Sequence, residues 1–431
     1  GVLYGAFALI RQRATGADIW NINSGEPVSF EYSRYNNHGA LFYDDGPYRS
    51  SDHDPVKVGL SAGAAAPVEP IDLTLLGIND FHGRITGVTP PKPAVGETKA
   101  QPEIPGTVGF AGTIEELRAA APDAVLLSAG DNIGASLPAS SLAQDEPTID
   151  VLNALDLRAS AVGNHEFDRG FADLRDRVIP RADFTHLGAN VYASGTTDPQ
   201  FDEYALIESQ GLTIGVIGVV TEETASLVSG AGIAGLEFGD PVEAVNRVAA
   251  DLTDGSGDQA DVIVALYHEG AADSASDASL DEAVADSAVF ARIVNETSPE
   301  VDAIYTGHTH KLYAWSAPVP GTDRTRPIVQ TGSYGEFVGK VVLSVDPASG
   351  EVVAHTQENV GQTKTPAADL IATYPRVAEV DEIVRKALAD FAEIGNTPVA
   401  TISADITSAY SGGSYVDGAY AGGKRDDRAS E

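Results

Sequence analysis

Eight residues in the middle of this sequence have the side chains that bind hard and borderline metal ions, and they come in short clusters. Asp80 and His82 sit in "NDFHG", Asp131 in "GDN", Asn164 and His165 in "GNHEFD", His268 in "ALYHEG", and His308 and His310 in "GHTH". Imidazole, carboxylate and amide oxygen without sulfur suit Zn, Mn, Fe or similar dications. Of the nine histidines in the chain, five fall in these stretches. One such histidine alone is more often an ordinary hydrogen-bonded loop residue. Five together, with Asp and Asn interleaved, point to a single binding rim. Two ions in close proximity need a bridging carboxylate, and Asp131, after the "SAG" turn, is well placed to be it. A pair ~3.5–4 Å apart can clamp a phosphate, activate water and stabilise in-line displacement. The chemistry expected is metal-dependent hydrolysis of a phosphate ester.

The elements that must position these residues are short β-rich runs, each ending where a cluster begins. They are "IDLTLLGI", "DAVLLSAGD", "RASAVGNHE", "LTIGVIGVV", "DVIVALYHE" and "VDAIYTGHTH". Amphipathic stretches such as "GTIEELRAAA" and "DPVEAVNRVAADL" lie between several of them. That alternation predicts an α/β domain with largely buried sheets. In open α/β sheets the loops beyond the strands' carboxyl ends bind ligands. "KVVLSVDPASGEVVAHTQ" reads as a β-hairpin around "DPASGE". In "PRVAEVDEIVRKALADFAEIG", Val377, Val380, Val384, Leu388 and Phe391 share one helix face, with Gly395 as the stop.

Composition narrows the class. The 431 residues suffice for two to three domains. Lys+Arg is 27 against Asp+Glu 63, a net charge of -36. Such a surface repels nucleic-acid backbones and anionic membranes, so stable binding to either is not expected. A phosphate substrate is compatible, because bound dications reverse the field locally. There is no cysteine, hence no disulfide framework and no thiolate metal site. The longest apolar run, "GLTIGVIGVV", is far below the ~20 residues needed to span a bilayer. The chain opens at Gly1 without a visible signal peptide, and the expectation is a fragment or processed form of a secreted or cell-envelope protein.

In order, "NDFHG", "GDN", "GNHEFD", "ALYHEG" and "GHTH" resemble the motifs of calcineurin-like metallophosphoesterases. The 5′-nucleotidase branch is the most similar, with its UDP-sugar hydrolases and cyclic-nucleotide phosphodiesterases. The resemblance covers roughly Ile71 to Val360 and implies a β-sandwich flanked by helices. It also implies that Asp80, His82, Asp131 and His310 hold one ion, and that Asp131, Asn164, His268 and His308 hold the other. Better-known bacterial members carry Gln where His310 stands. Purple acid phosphatases carry a Tyr where Gly134 stands.

His165 directly follows a ligand, so it points near the metals without needing to bind them. Asp168, three residues on, shares its face if a helix begins here. A carboxylate behind an imidazole fixes its tautomer and favours the charged form. That form could stabilise charge on the phosphoryl group and help the leaving oxygen depart. The bland alternative makes Asp168 an ordinary residue of a first helical turn. Glu166 and Arg169 read as structural, and Arg84, Glu269 and Glu336 as solvated or salt-bridged.

Upstream, "YRSSDHDPVKVGL" resembles the end of an endonuclease/exonuclease/phosphatase domain, which implies that His53 is a general base and Asp52 its partner. "GADIWNINSGEP" resembles large secreted bacterial nucleases in which that domain precedes a 5′-nucleotidase module. The expected organisation is therefore a nuclease-type remnant over 1–60, a linker over 61–70 and the metallophosphoesterase domain over 71–365. A linker helix over 366–397 and the opening of a 5′-nucleotidase C-terminal domain over 398–431 follow. The expected activity is hydrolysis of nucleotides or other small phosphate esters with two divalent ions. The alternatives are a 2′,3′-cyclic-nucleotide phosphodiesterase, a UDP-sugar hydrolase and a catalytically silent metal-binding module.

Overall fold

The central strands of this chain are apolar at nearly every position, as "VIVALYH" shows, so they must be buried on both faces. A computed structural model of the chain describes residues 14–19, 56–60, 69–87, 106–272, 278–395 and 397–398, and four short strands between 410 and 425. The chain divides into two compact units, Gly1–Pro70 with Asp346–Glu351, and Ile71–Val345 with Val352–Glu431.

In the first unit, β1 (Ala14–Ile19) and β2 (Val56–Leu60) form an antiparallel pair, Ile19 opposite Val56. The expected nuclease-type pair Asp52 and His53 lies outside the described residues.

The second unit carries two six-stranded sheets. Its strands are β3 (Ile71–Ile78), β4 (Val125–Ser128), β5 (Leu157–Ala161), β6 (Thr185–Leu187) and the short β7 (Val191–Ala193). Next come β8 (Tyr204–Ser209), β9 (Leu212–Val220), the short β10 (Leu236–Phe238) and β11 (Val262–His268). The last are β12 (Ala303–Thr306), β13 (Leu312–Pro318), β14 (Thr325–Thr331), β15 (Phe337–Val345) and β16 (Val352–Gly361). One sheet has the order β16-β15-β3-β4-β5-β6 and the other β13-β14-β12-β11-β9-β8. The central pairs β3/β4, β4/β5, β9/β11 and β11/β12 are parallel, and the outer hairpins antiparallel. Parallel neighbours present all their carboxyl ends at one rim, which is what gathers the site.

The sheets face each other across a core that includes Leu73, Leu75 and Leu127 of one and Val264, Leu266 and Val329 of the other. Tyr305 crosses that core, its hydroxyl donating to the carbonyl of Leu75 at 3.1 Å. Because successive side chains alternate faces, Ile263, Ala265 and Tyr267 of β11 pack on the opposite side, with helix residues Val245, Val248 and Phe290. Replacing a core leucine such as Leu266 with Ala would cost ~2–5 kcal/mol.

Helices close both outer faces. On the first sheet lie α1 (Thr107–Ala120), α2 (Glu146–Ala154) and, later in the chain, the long helix Pro375–Gly395. Val377 and Val380 of that long helix pack with Ile114, Val151 and Leu152. The apolar stripe anticipated there is buried at Val377 and Val380, whereas Leu388 stays 41% exposed. On the second sheet lies α3 (Pro241–Asp251), and its start is written in "DPVE". The Asp240 carboxylate accepts the N–H groups of Val242 and Glu243 at 2.9 and 3.0 Å, and Pro241 supplies a first-turn φ without an orphan donor. Among the described residues, no helix is long and apolar enough to cross a membrane.

Candidate metal centre

The loops after β3 and β4 are zipped together by backbone hydrogen bonds. Asp80 N donates to Gly130 O at 2.9 Å and His82 N to Asp131 O at 3.0 Å. The loop after β14 is strapped to them, since Tyr334 N donates to Asp80 O at 2.8 Å. Five of the seven residues expected as ligands adopt left-handed backbone: Asp80 (φ 50°), His82 (48°), Asp131 (54°), His308 (70°) and His310 (57°). Non-glycine residues avoid this region, at ~1–3 kcal/mol each, and such clusters mark functional loops. The strain turns consecutive side chains toward one point beyond the sheet edge.

Two donor groups result. In the first, Nε2 of His82 and Nε2 of His310 are 3.2 Å apart, with Asp80 Oδ1 3.3 Å from His310 Nε2 and 3.8 Å from His82 Nε2. In the second, His268 Nε2 lies 3.1 Å from Asp131 Oδ2 and 3.1 Å from Asn164 Oδ1. His308 joins it, with ligand atoms of Asp131, His268 and His308 all within 4.8 Å of one another. Asp131 Oδ2 also stands 3.8 Å from His82 Nε2, so one carboxylate oxygen faces both groups. Its other oxygen accepts the His165 N–H at 2.8 Å. All seven residues expected as ligands are thus brought to one rim.

The donor set suits two dications. His82 Nδ1 donates to Gly134 O at 3.0 Å and His268 Nδ1 to Ala129 O at 2.8 Å. A carbonyl only accepts, so Nδ1 keeps the proton in each ring and Nε2 is the nitrogen turned inward, able to ligate once a cation displaces any proton it carries. Burial lowers the pKa of His82, and burial followed by the nearby His268 brings that of His308 to about 4, so both rings are neutral. At His268 burial also acts to lower the pKa, but Asp131 overcomes it and raises it to about 10. Burial would raise the Asp131 pKa, but His268 and His82 hold it well below the usual carboxylate range. Asp131 is therefore an anion at a place that is only 2% exposed. A buried carboxylate ringed by imidazoles and an amide oxygen, without sulfur, is a site for hard or borderline cations.

Several residues shape the site without facing it. Glu166 accepts backbone N–H groups from Asp131 (3.0 Å), Asn132 (2.8 Å) and Gly163 (2.6 Å). Asn79 donates to Asp80 Oδ2 at 2.6 Å and to Gly332 O at 2.7 Å, while its own oxygen accepts Thr331 N at 2.8 Å. A Cβ on Gly163 would lie 2.1 Å from Asp131 Oδ1, so only glycine lets the two loops approach this closely. Glu166 reads as structural in the sequence, and Asn79 is singled out by nothing beyond its place in "NDFHG", so neither partner set is visible there. Of the residues read as solvated or salt-bridged, Arg84 stacks over the Tyr334 ring at 4.2 Å. Glu269 is partly buried, which raises its pKa, and it accepts Gly270 N at 3.0 Å.

His165 and Asp168 stand at the flank. A short 3-10 helix over His165–Phe167 brings them together, His165 Nδ1 lying 2.9 Å from Asp168 Oδ2. The hydrogen bond to Asp168 is the largest cause that raises the His165 pKa to about 9, against burial. A ring nitrogen of His165 lies within 4.8 Å of His82 and Asp131 ligand atoms. Gly134 is packed against this pair, for a Cβ there would meet Asp168 Oδ2 at 2.7 Å. The arrangement can hold a cationic imidazole beside two cation sites, which suits chemistry on a dianionic phosphate.

A family model for calcineurin-like phosphoesterases matches residues 73–312. The Endonuclease YhcR of Bacillus subtilis is 29% identical over 384 residues, which is 83% of this chain and 30% of that protein. A 5′-nucleotidase of Vibrio vulnificus is 31% identical over 288 residues, 62% of this chain and 48% of the relative. The chain thus spans less than half the length of either. The crystal structure of the calcineurin-like phosphoesterase YfkN from Bacillus subtilis superposes with a TM-score of 0.57 at 22% identity. It covers 76% of this chain and 100% of that one, and shares its fold.

Proposed function

The chain belongs to the calcineurin-like phosphoesterases, and we propose that it hydrolyses phosphate monoesters with two divalent ions, 5′-nucleotides foremost. The observation that carries this reading is the single Asp131 oxygen facing His82 Nε2 at 3.8 Å and His268 Nε2 at 3.1 Å. Asp80, His82, Asp131 and His310 would hold one ion, and Asp131, Asn164, His268 and His308 the other. When bound, such ions orient the phosphate and make water a stronger nucleophile at neutral pH.

The remaining work falls to the chain. In the displacement a water oxygen forms the new bond to phosphorus while the bond to the leaving oxygen breaks. Asp168 fixes the His165 Nδ1 proton at 2.9 Å, which leaves Nε2 to face the substrate. The cationic ring offsets charge on the phosphoryl oxygens, and its Nε2 proton passes to the leaving oxygen. A nucleotide as substrate is supported by the Vibrio vulnificus relative, whose name is 5′-nucleotidase. The acidic chain, at -36, fits an extracellular or cell-envelope setting.

The test is phosphate release from AMP and phenyl phosphate by chelator-treated protein, before and after addition of Zn or Mn. Release that returns only with metal supports the reading. Metal-replete protein that binds two ions yet releases no phosphate from either ester would instead support a silent binding module.

A further inference from the structure

His82 and His268 are each held from behind by a backbone carbonyl on Nδ1. Among the described residues no such bond holds the rings of His308 and His310. A ligating imidazole ordinarily has an outer partner that fixes its orientation. Where that partner is missing here, an aromatic ring stands in its place. His308 meets the His268 ring edge-on, centroids 5.2 Å apart at 61°, so a ring already held supports it. His310 is the more open case, its side chain 36% exposed. Its ring meets that of Tyr334 at 5.5 Å and 79°, the edge-to-face geometry that aromatic pairs favour.

Tyr334 is itself held in a strained place. Its backbone is left-handed at φ 62°, in a turn whose other left-handed positions, Gly332 and Gly335, are glycines at 71°. An aromatic residue avoids that region, so its retention points to a use for the side chain. Its N–H, donated to Asp80 O at 2.8 Å, ties the turn to the loop after β3. From that same loop Arg84 lays its guanidinium 4.2 Å from the ring centroid. Arg84 Nε is buried without a hydrogen-bond partner, which leaves the ring as the contact that seats it. The ring also lies 5.9 Å from that of His82, so it touches both histidines of the first donor group.

We propose that Tyr334, seated on Arg84, is the positioning residue for His310, holding its ring toward Asp80 and His82 by aromatic contact in place of a hydrogen bond. The inference rests on the two-ion reading above. The ion held by Asp80, His82 and His310 then depends on a ring at position 334. The ion held with Asn164, His268 and His308 does not. Arg84 acts one step further out, by fixing the ring.

The test is titration of metal-free protein with Co(II), followed by calorimetry and by the visible absorption of the bound ion. The parent should take up two ions. Tyr334→Leu should weaken one of them about tenfold and leave the other within about twofold. Tyr334→Phe keeps the ring and should restore the parent affinity. Arg84→Met should weaken the same ion by about threefold, the scale of a cation–π contact, and it reads the same dependence if Tyr334→Leu fails to fold. In a His310→Ala background, Tyr334→Leu should change nothing further, because its effect passes through that ring. Unchanged affinity in Tyr334→Leu, equal weakening of both ions, Tyr334→Phe as weak as Tyr334→Leu, or losses that add to those of His310→Ala would each overturn the inference. A parent that binds two ions yet hydrolyses no ester would sink the proposed reaction and leave this assignment standing. A parent that binds a single ion would sink the two-ion reading, and the His310→Ala background would still decide whether Tyr334 acts through His310.

Discussion

Glu166 Oε2 accepts the backbone N–H of Asp131 at 3.0 Å, tying a wholly buried carboxylate to the residue that faces both donor groups. The same side chain takes the N–H groups of Asn132 and Gly163, so it fixes the loops after β4 and β5 relative to each other. Burial, with the Asp131 charge behind it, raises the Glu166 pKa to about 7 even against the donated N–H groups, which act to lower it.

Glu166→Gln replaces one acceptor oxygen with a donor that faces backbone N–H groups. Leaving a buried donor unsatisfied costs ~1–3 kcal/mol, and displacing a ligand's supporting group costs ~10–100-fold in metal affinity. The variant should therefore melt earlier and bind both ions more weakly, as thermal denaturation and calorimetric titration would report. Unchanged metal affinity would mean that the loop positions are set without Glu166.

Asp131 and His308 should differ in what their loss removes. Asp131→Ala takes away the one oxygen near both His82 and His268, and elemental analysis should find both ions gone. His308→Ala affects only the group that it shares with Asp131 and His268, so one ion should remain. Equal loss in the two variants would contradict the assignment of His308 to a single ion.

The rim was legible in the sequence because parallel strands deliver their carboxyl ends together, and each cluster follows directly on a strand run. The hairpin of β15 and β16 was legible in "DPASGE" for a similar reason, its turn residues being local. What Glu166 does was not legible, since its partner Asp131 lies thirty-five residues away on another strand. The left-handed backbone at Asp80, His82 and Asp131 leaves no mark in residue type, because Asp and His are common elsewhere too. No motif singles out Tyr334, although its ring lies 5.9 Å from that of His82 and 5.5 Å from that of His310.

His186 should make the fold acid-labile. It is buried beside Phe184, ring centroids 4.8 Å apart, and its Nδ1 has no hydrogen-bond partner. Burial lowers its pKa to about 4, against ~6.5 in the unfolded chain. Below pH ~6.5 the unfolded chain takes up the proton first, so stability drains as pH falls to about 4 and is flat below that. The loss across that window is on the order of 3 kcal/mol, at ~1.4 kcal/mol for each pH unit between the two pKa values. His186→Leu should lessen the loss between pH 7 and pH 4.5, measured as the difference in urea midpoints. An identical acid dependence in parent and variant would show that His186 titrates normally.

The role of His165 divides two readings that geometry alone leaves adjacent. Its ring nitrogen is within 4.8 Å of ligand atoms of His82 and Asp131, close enough to suggest a ligand. Its other bonds argue for an acid instead. Asp168 holds Nδ1 at 2.9 Å and is the largest cause that raises the ring's pKa to about 9, which favours the cation that a proton donor must be. As the acid, His165 acts only once phosphate is bound and the leaving oxygen gains charge. His165→Ala should then keep two ions per chain and a similar KM while kcat falls ~10²–10⁴-fold, the range for a positioned proton donor. Asp168→Asn keeps the ring but donates toward Nδ1 instead of accepting from it, so kcat should fall by less, again without loss of metal. The fall at His165→Ala should shrink with an aryl phosphate whose leaving oxygen needs no proton, such as 4-nitrophenyl phosphate, and be largest with AMP. A variant that loses an ion, or that loses the same factor on both esters, would make His165 a ligand or an electrostatic support and not the acid.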